Sequence, residues 1–273
     1  MSFESSRYFG DIKPTMNSQI NWGNPISSEL RVCWLLNEGC GQNIYDSALF
    51  NDGTFNMNAN SWVGMDGGPA LFFDGSTGFV NCGTTPNILL INQPVTVMAR
   101  IYPTSGLSTG SRIVSKETAN GTGVRLTILD TGALSLGVSG GTGISRISQA
   151  NAVSFNSWQD VVMTWTGNAN ASTARFFVDN LETLYATSTG GVTLTGNGGG
   201  ILGIGNRGNL DRSYAGYISF IYLWNRILER SEISQMFSDP YDFIYPNTIP
   251  VNLNSISTPI VSNKYRPLLG VGM

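Results

Sequence analysis

The residues that could do chemistry in this sequence are carboxylates, because histidine is absent. Without histidine, no Ser-His-Asp or Cys-His arrangement and no imidazole metal site can form. Glycosidic cleavage instead needs a carboxylic acid and a carboxylate nucleophile facing one sugar. Asp179 and Glu182 straddle a predicted turn, whereas Asp160 stands alone in its strand. Glu117 and Asp130 lie on separate segments. No predicted strand carries carboxylates at i, i+2 or i, i+4, so we assign no catalytic residue and expect no enzyme.

The composition of the 273 residues indicates a charge-poor, turn-rich protein. Charged residues make up 12% of the chain, about half the usual share of roughly 25%. The net charge is −3 and no cluster of Lys or Arg is present, so binding to nucleic acid phosphates is not expected. A surface poor in charge is weakly protected against association, which favours a homo-oligomer or another assembly. A neutral, secreted, turn-rich domain has the same composition, and both alternatives stay open.

The first residues carry no targeting signal that we can identify. Residues 1–10 lack the basic-then-apolar pattern of a signal peptide, and no window approaches 18 continuous apolar residues. We therefore expect cytoplasmic synthesis and no membrane insertion. The three cysteines, Cys33, Cys40 and Cys82, match no metal-binding template in number or spacing, and Cys33 is predicted to be a small core residue.

The stretch 213–237 predicts a long strand followed by a short helix. Alternation places one set of residues on one face, namely Ala215, Tyr217, Ser219, Ile221 and Leu223. The opposite face receives Gly216, Ile218, Phe220, Tyr222 and Trp224. The helix then presents an apolar edge formed by Ile233, Met236 and Phe237. About a dozen short strands, with turn signals every 8–12 residues or so, predict an all-β antiparallel sandwich.

Three segments are predicted along the chain. Residues 1–25 read as an extended arm, residues 26–238 as the β-sandwich, and residues 239–273 as an extended tail interrupted by prolines. The first arm carries more apolar residues than a passive linker needs, which are Phe3, Tyr8, Phe9, Ile12 and Trp22. These residues suggest that the arm anchors on a neighbouring surface.

Several motifs, taken in chain order, resemble those of a laminin G-like, concanavalin A-like domain. They lie at 34–39, 70–75, 95–97, 113–116, 158–165, 177–180, 202–205 and 215–228. The resemblance covers about residues 30–237 and implies a jelly-roll sandwich that ends in one short helix. The family's usual Ser or Thr at the helix cap is replaced here by Glu229, which weakens the predicted cap, although Glu232 suits the positive end of the helix.

The segments that flank this domain carry a narrower resemblance. Residues 20–25 and 239–246 are similar to the flanks of laminin G-like proteins encoded by tailed bacteriophages. This resemblance implies a virion structural protein, made in the host cytoplasm, that decorates a capsid or tail and binds other virion proteins through its arms. The alternative is a carbohydrate-binding adhesin that recognises host surface glycans.

Two ligand hypotheses follow from the family resemblance. Such domains sometimes hold a structural calcium, for which Asp52 and Asp74 are candidates, but both lie in turn motifs whose side chains bond their own backbone. We favour the turn interpretation and expect no other cofactor. Glycan binding needs exposed aromatic faces, and Trp62 and Tyr102 are the loop candidates. The remaining tryptophans considered are predicted to be core residues in strands, namely Trp34, Trp158, Trp165 and Trp224. The sequence assigns neither a carbohydrate-binding nor a metal-binding residue.

Overall fold

The computed structural model describes residues 12–245 apart from 57, 59, 66, 85–87, 90, 119–120, 140–142 and 192–198. Most of the two predicted arms, residues 1–11 and 246–273, therefore lies outside the described residues. Within the described part, seventeen strands and one α-helix are present. The chain thus forms more strands than the dozen that the turn signals predicted, because several are only two or three residues long.

The bounds of the elements follow the alternating apolar pattern of the sequence. The strands are β1 (Leu30–Trp34), β2 (Asn43–Ile44), β3 (Gly53–Phe55), β4 (Asn60–Met65), β5 (Gly68–Asp74), β6 (Val80–Asn81), β7 (Val95–Pro103), β8 (Ser111–Glu117), β9 (Gly123–Ile128), β10 (Leu134–Ser139), β11 (Ile144–Ser148), β12 (Gln159–Trp165), β13 (Arg175–Val178), β14 (Leu181–Glu182), β15 (Tyr185–Thr189), β16 (Ile201–Ile204) and β17 (Ala215–Trp224). The helix α1 spans Arg230–Ser238.

The strands form two antiparallel sheets. Sheet 1 has the order β14-β13-β12-β7-β17-β5-β4, and β1 also pairs with β17. Sheet 2 has the order β15-β11-β10-β9-β8-β16-β6-β3-β2. The main hydrophobic core lies between the sheets and takes one face of each strand, such as Val32, Trp34 and Leu36 around β1. The predicted antiparallel β-sandwich with one short C-terminal helix is confirmed.

Strand β17 is central to sheet 1. It pairs with β7 along one edge, and its other edge is shared between β5 and β1. The predicted alternation is wrong in its first half, because a bulge shifts the register between Ile218 and Phe220. The extra residue puts Tyr217 on the outer face with Phe220, while Ile218 faces the main core. One inserted residue inverts the facing of every residue on one side of it.

The buried side chain of Lys13 covers the backbone at this bulge. Its Nζ donates hydrogen bonds to the carbonyl oxygens of Ser219 (2.6 Å), Leu36 (3.2 Å) and Pro69. Burial lowers the pKa of Lys13 to about 7, with a smaller lowering by Arg100, while the charge of Glu38 acts in the opposite direction. Lys13 thereby ties the segment before β1 to three separate strands or turns of the sandwich.

A second apolar cluster covers the outer face of sheet 1. Residues of β1, β7, β12, β13 and β17 contribute to it, with Ile233 and Met236 of α1. The flanking segments also take part, through Ile20 and Phe243, and Ile20 forms a β-bridge with Ile244. Residues 12–25 and 239–245, assigned from the sequence to arms, therefore pack on the sandwich. The domain boundaries themselves stay a prediction.

Helix α1 begins with a capping box formed by Glu229 and Glu232, in place of the usual Ser or Thr cap. The backbone N–H of Glu229 donates to the Glu232 carboxylate at 2.8 Å. Arg226 donates two hydrogen bonds to the same carboxylate, each at 2.7 Å. The predicted apolar edge of the helix packs on the outer cluster.

Two further predictions concern burial and membranes. Cys33 is fully buried, as predicted. In the described part of the chain, no helix is long and apolar enough to cross a bilayer.

Candidate functional site

Four aromatic side chains form a row across the outer face of sheet 1. Phe72, Tyr217, Tyr102 and Trp158 lie on or beside β5, β17, β7 and β12, and each is only partly buried. Successive ring centroids are 5.2, 5.6 and 5.5 Å apart. We call this set the aromatic row. Because tilted and edge-to-face contacts orient neighbouring rings, the row offers an ordered aromatic strip on the outer face of sheet 1.

The pairing of the strands produces the aromatic row. Tyr217 lies directly opposite Phe72 on β5 and Tyr102 on β7. Trp158 comes one residue before β12, next to Gln159, which lies opposite Ile101. The bulge in β17 is essential here, since without it Tyr217 would share a face with Ile221 in the main core.

A polar cleft of about 410 Å³ opens beside the aromatic row. Trp158 belongs to both features. The cleft is otherwise lined by polar and charged residues that include Arg100, Gln159, Asp160 and Asp179, and by the apolar side chains of Ile12 and Met65. Asp179 lies in the turn after β13, at positive φ. Its two oxygens accept from the backbone N–H of Asp160 (3.0 Å) and from Nε2 of Gln159 (3.2 Å). The cleft therefore combines an aromatic wall with amide, carboxylate and guanidinium groups.

Arg100 and Asp160 form a two-pronged ion pair at the floor of this cleft. Nε and Nη2 of Arg100 donate to the two oxygens of Asp160 at 2.8 and 2.9 Å. Burial acts to lower the pKa of Arg100, but the bonds with Asp160 raise it above its ordinary value. The pair lies opposite in register on β7 and β12, so both charges are held by the sheet. The ion pair therefore gives the cleft a charged floor of fixed geometry.

The structure places several of the aromatic residues considered from the sequence in locations other than those predicted. Tyr102 belongs to the aromatic row, but it lies in β7 and not in a loop. Trp62 lies in β4 at the edge of the main core, where it meets Phe55 edge-to-face, and its Nε1 donates to Gly41. Trp158 was assigned to the core, and this is wrong because it lies on the outer face. The other three strand tryptophans are fully buried, as predicted, namely Trp34, Trp165 and Trp224.

The structure brings two of the carboxylates considered from the sequence together. Asp160 and Asp179 meet in the polar cleft, although sequence spacing gave no sign of it because the contact crosses from β12 to the turn after β13. Glu182 pairs with Arg175 on the surface, and Glu117 pairs with two arginines on sheet 2. The cleft's other members, Arg100 and Gln159, were also missed. The available signal was a charged residue in the middle of an apolar strand.

The two calcium candidates each organise their own turn. The Asp74 carboxylate accepts backbone N–H groups from Ser76, Thr77 and Gly78 at 2.7–2.9 Å. Partial burial acts to raise the pKa of Asp74, but these N–H groups together lower it. Asp52 accepts the backbone N–H of Asp46 at 2.9 Å. Across the described residues, no group of three or more Cys, Asp or Glu side chains is arranged to hold a metal ion. Calcium binding stays a prediction.

The fold and the outer-face cleft define a lectin-like β-sandwich. Residues 74–234 match a laminin G model described as the concanavalin A-like lectin/glucanases superfamily, so the chain belongs to that superfamily. No curated protein matches the chain.

Solved structures share the fold at low sequence identity. The binding domain of Paraclostridial mosquitocidal protein 1 is similar with a TM-score of 0.59 and 13% identity, over 78% of this chain and 52% of that chain. The botulinum neurotoxin serotype D binding domain gives 0.57 and 13%, over 78% and 52%. A Trypanosoma rangeli sialidase gives 0.56 and 15%, over 82% of this chain and 36% of that chain. The chain thus spans about half or less of each, and the likeness concerns the fold alone.

Proposed function

We propose that this protein is a non-enzymatic carbohydrate-binding β-sandwich that holds a saccharide along the aromatic row and in the polar cleft beside it. The observation that carries the proposal is the contact between the two features at Trp158, which lines the cleft and closes the row. Sugar rings have apolar C–H faces that pack on aromatic rings and hydroxyls that need polar partners. The row supplies the first requirement and the cleft supplies the second.

The carboxylates of the cleft favour binding over catalysis. Retaining and inverting glycosidases need one protonated carboxylic acid and one carboxylate available for attack or for activating water. Asp160 is held by both prongs of Arg100, and Asp179 accepts hydrogen bonds on both of its oxygens. Neither group is left as a proton donor toward a sugar oxygen. This arrangement supports the assignment as a binding protein and argues against a hydrolase.

Replacing Trp158 with Ala is expected to weaken glycan binding about thirtyfold, since truncating a central aromatic anchor typically costs about 2 kcal/mol. The measurement is a glycan array followed by calorimetry with the best glycan. Trp22→Ala is the matched control, because Trp22 is exposed and lies outside the cleft. Equal affinity of the Trp158→Ala variant and the wild type, or no glycan bound by the wild type on a broad array, would refute the proposal.

A second proposal concerns the larger assembly to which the sandwich is attached. We infer a structural component of a bacteriophage virion, on the capsid or the tail, that attaches through its terminal segments and assembles as a homo-oligomer. The charge-poor composition and the resemblance of the flanks support it. A further support is the exposure of large apolar residues on the flanking segments outside the cleft: Met16 45%, Trp22 55% and Tyr245 52%. Tyr245 and Asn21 are joined by a 2.8 Å hydrogen bond, so Trp22 and Tyr245 lie in the same region.

Substitutions in the exposed flanking segments are expected to have the opposite effect to substitutions in the cleft. Trp22→Ala combined with Tyr245→Ala is expected to leave the protein folded and glycan-binding but absent from purified particles, as measured by mass spectrometry of virions. Trp158→Ala is expected to enter particles normally. Absence of the wild-type protein from virions, or normal incorporation of the double variant, would reject the attachment proposal without affecting the carbohydrate proposal.

A further inference from the structure

A pocket on the outer face of sheet 2 gathers four arginines. It has a volume of about 360 Å³ and is lined by Arg112, Arg125, Arg207 and Arg212. We call it the arginine pocket. Hydroxyl groups complete its wall, from Thr109, Thr127, Ser135 and Ser139. We propose that the arginine pocket binds an oxyanion group, such as a carboxylate, sulfate or phosphate, in a site separate from the aromatic row on the opposite sheet.

Charge within the pocket is unbalanced toward the positive. Glu117 accepts from Nε and Nη2 of Arg112 at 2.8 and 3.0 Å and from Nη1 of Arg125 at 3.3 Å. Asp211 accepts two bonds from Arg207 at 2.6 and 2.7 Å. Two carboxylates thus face four guanidinium groups. An arriving oxyanion would meet two positive charges that no carboxylate of the pocket offsets.

The excess charge is unfavourable for the protein alone. Burial lowers the pKa of Arg112 and of Arg125, and repulsion from Arg207 lowers both further, against the effect of Glu117. A negative group in the pocket would attract these guanidinium groups and so offset their mutual repulsion. Planar guanidinium groups match the oxygens of a carboxylate or sulfate, so the ligand is defined by its charge and geometry.

A glycine shapes the pocket. Gly137 on β10 lies opposite Arg125 on β9, and the Arg125 guanidinium lies directly over it. A methyl group at position 137 would come within 2.5 Å of Nε of Arg125. The absence of a side chain therefore lets the guanidinium lie flat on the sheet, where Nη1 also donates to Oγ of Ser139 at 2.8 Å. A larger residue would displace the guanidinium without removing its charge.

The site is tested with the full chain at constant ionic strength. The probes are sodium sulfate, sodium phosphate and glucuronate, with glucose as the neutral control, followed by calorimetry and by the thermal unfolding midpoint. The wild type is expected to bind the anions and to ignore glucose. The variant Arg212→Gln, which changes a partly exposed side chain, is expected to weaken anion binding at least tenfold. The variant Gly137→Ala is expected to weaken it by at least the same factor. Arg175→Gln removes an exposed arginine elsewhere and is expected to bind like the wild type.

Each outcome decides the proposal. Tighter binding of glucuronate than of the inorganic anions indicates an acidic sugar as the ligand, and equal binding indicates recognition of the oxyanion alone; both support the site. Equal losses in Arg212→Gln and Arg175→Gln would mean unspecific charge attraction and overturn it. No binding of any anion by the wild type would also overturn it. Since Trp158→Ala leaves this pocket intact, failure here and failure of the carbohydrate proposal are distinguishable.

Discussion

Replacing Glu117 with Gln is expected to lower the free energy of unfolding by about 3–5 kcal/mol, the usual cost of removing one partner of a buried ion pair. The Glu117 side chain is 1% exposed and holds two arginines, of which Arg112 is 5% exposed. Glutamine keeps the volume but not the charge, so both guanidinium groups lose their shared counter-ion. The change should appear as a lower urea midpoint with an unchanged slope.

The control for this prediction is Glu182→Gln. Glu182 also pairs with an arginine, Arg175, but at 3.5 Å and with both side chains exposed. Exposed pairs contribute about 0–1 kcal/mol, so this variant should differ little from the wild type. A loss below 1 kcal/mol for Glu117→Gln would mean that water reaches the pair in solution. If the arginine pocket binds oxyanions, sulfate should also restore more stability to Glu117→Gln than to Glu182→Gln. The Glu117→Gln variant has lost a carboxylate beside the pocket, and a bound sulfate replaces that negative charge.

The fold was predictable because its signals are local. Alternation in β17, the helical spacing of Ile233 and Met236, and the turn residues between strands each act over a few positions, and together they define the sandwich. The bulge at Ser219 is not local in this sense. The Ser219 carbonyl oxygen at the bulge accepts a hydrogen bond from Nζ of Lys13, more than two hundred residues away. A strict period of two consequently placed Tyr217 on the wrong face.

The two proposed sites were hidden for a related reason. The aromatic row joins residues from four strands, and the arginine pocket joins β8 and β9 to the loop after β16, so no short motif contains either. Burial was also misjudged at Trp158, because tryptophan in a strand usually lies in the core. The informative signal was instead the presence of charged residues within the strands. Arg112, Glu117 and Arg125 are charges within strands of otherwise apolar pattern, and such charges are rarely buried without partners.

Replacing Trp224 with Ala is expected to destabilise the protein by about 3–5 kcal/mol, the usual cost of deleting a buried tryptophan. Trp224 is completely buried at the end of β17. Its Nε1 donates to the carbonyl oxygen of Ile26 at 2.7 Å, and its ring meets those of Tyr222 and Phe243 edge-to-face. The substitution therefore leaves a cavity and also removes the shorter of the two hydrogen bonds that the Ile26 carbonyl accepts, the other coming from Nη2 of Arg226 at 3.5 Å.

The position of Trp224 adds a distinctive readout to this loss. Its ring contacts Phe243 from the C-terminal side and its N–H holds Ile26 from the N-terminal side, so both flanking segments lose an anchor at once. Proteolysis under native conditions should then cut residues 12–27 faster than the sandwich itself, which opens only with global unfolding. Trp22→Ala, in an exposed tryptophan of the same segment, should change stability by less than about 0.5 kcal/mol and leave the cleavage pattern unchanged. Uniform acceleration of cleavage throughout the Trp224→Ala variant would mean that the flanking segments and the sandwich unfold as one cooperative unit.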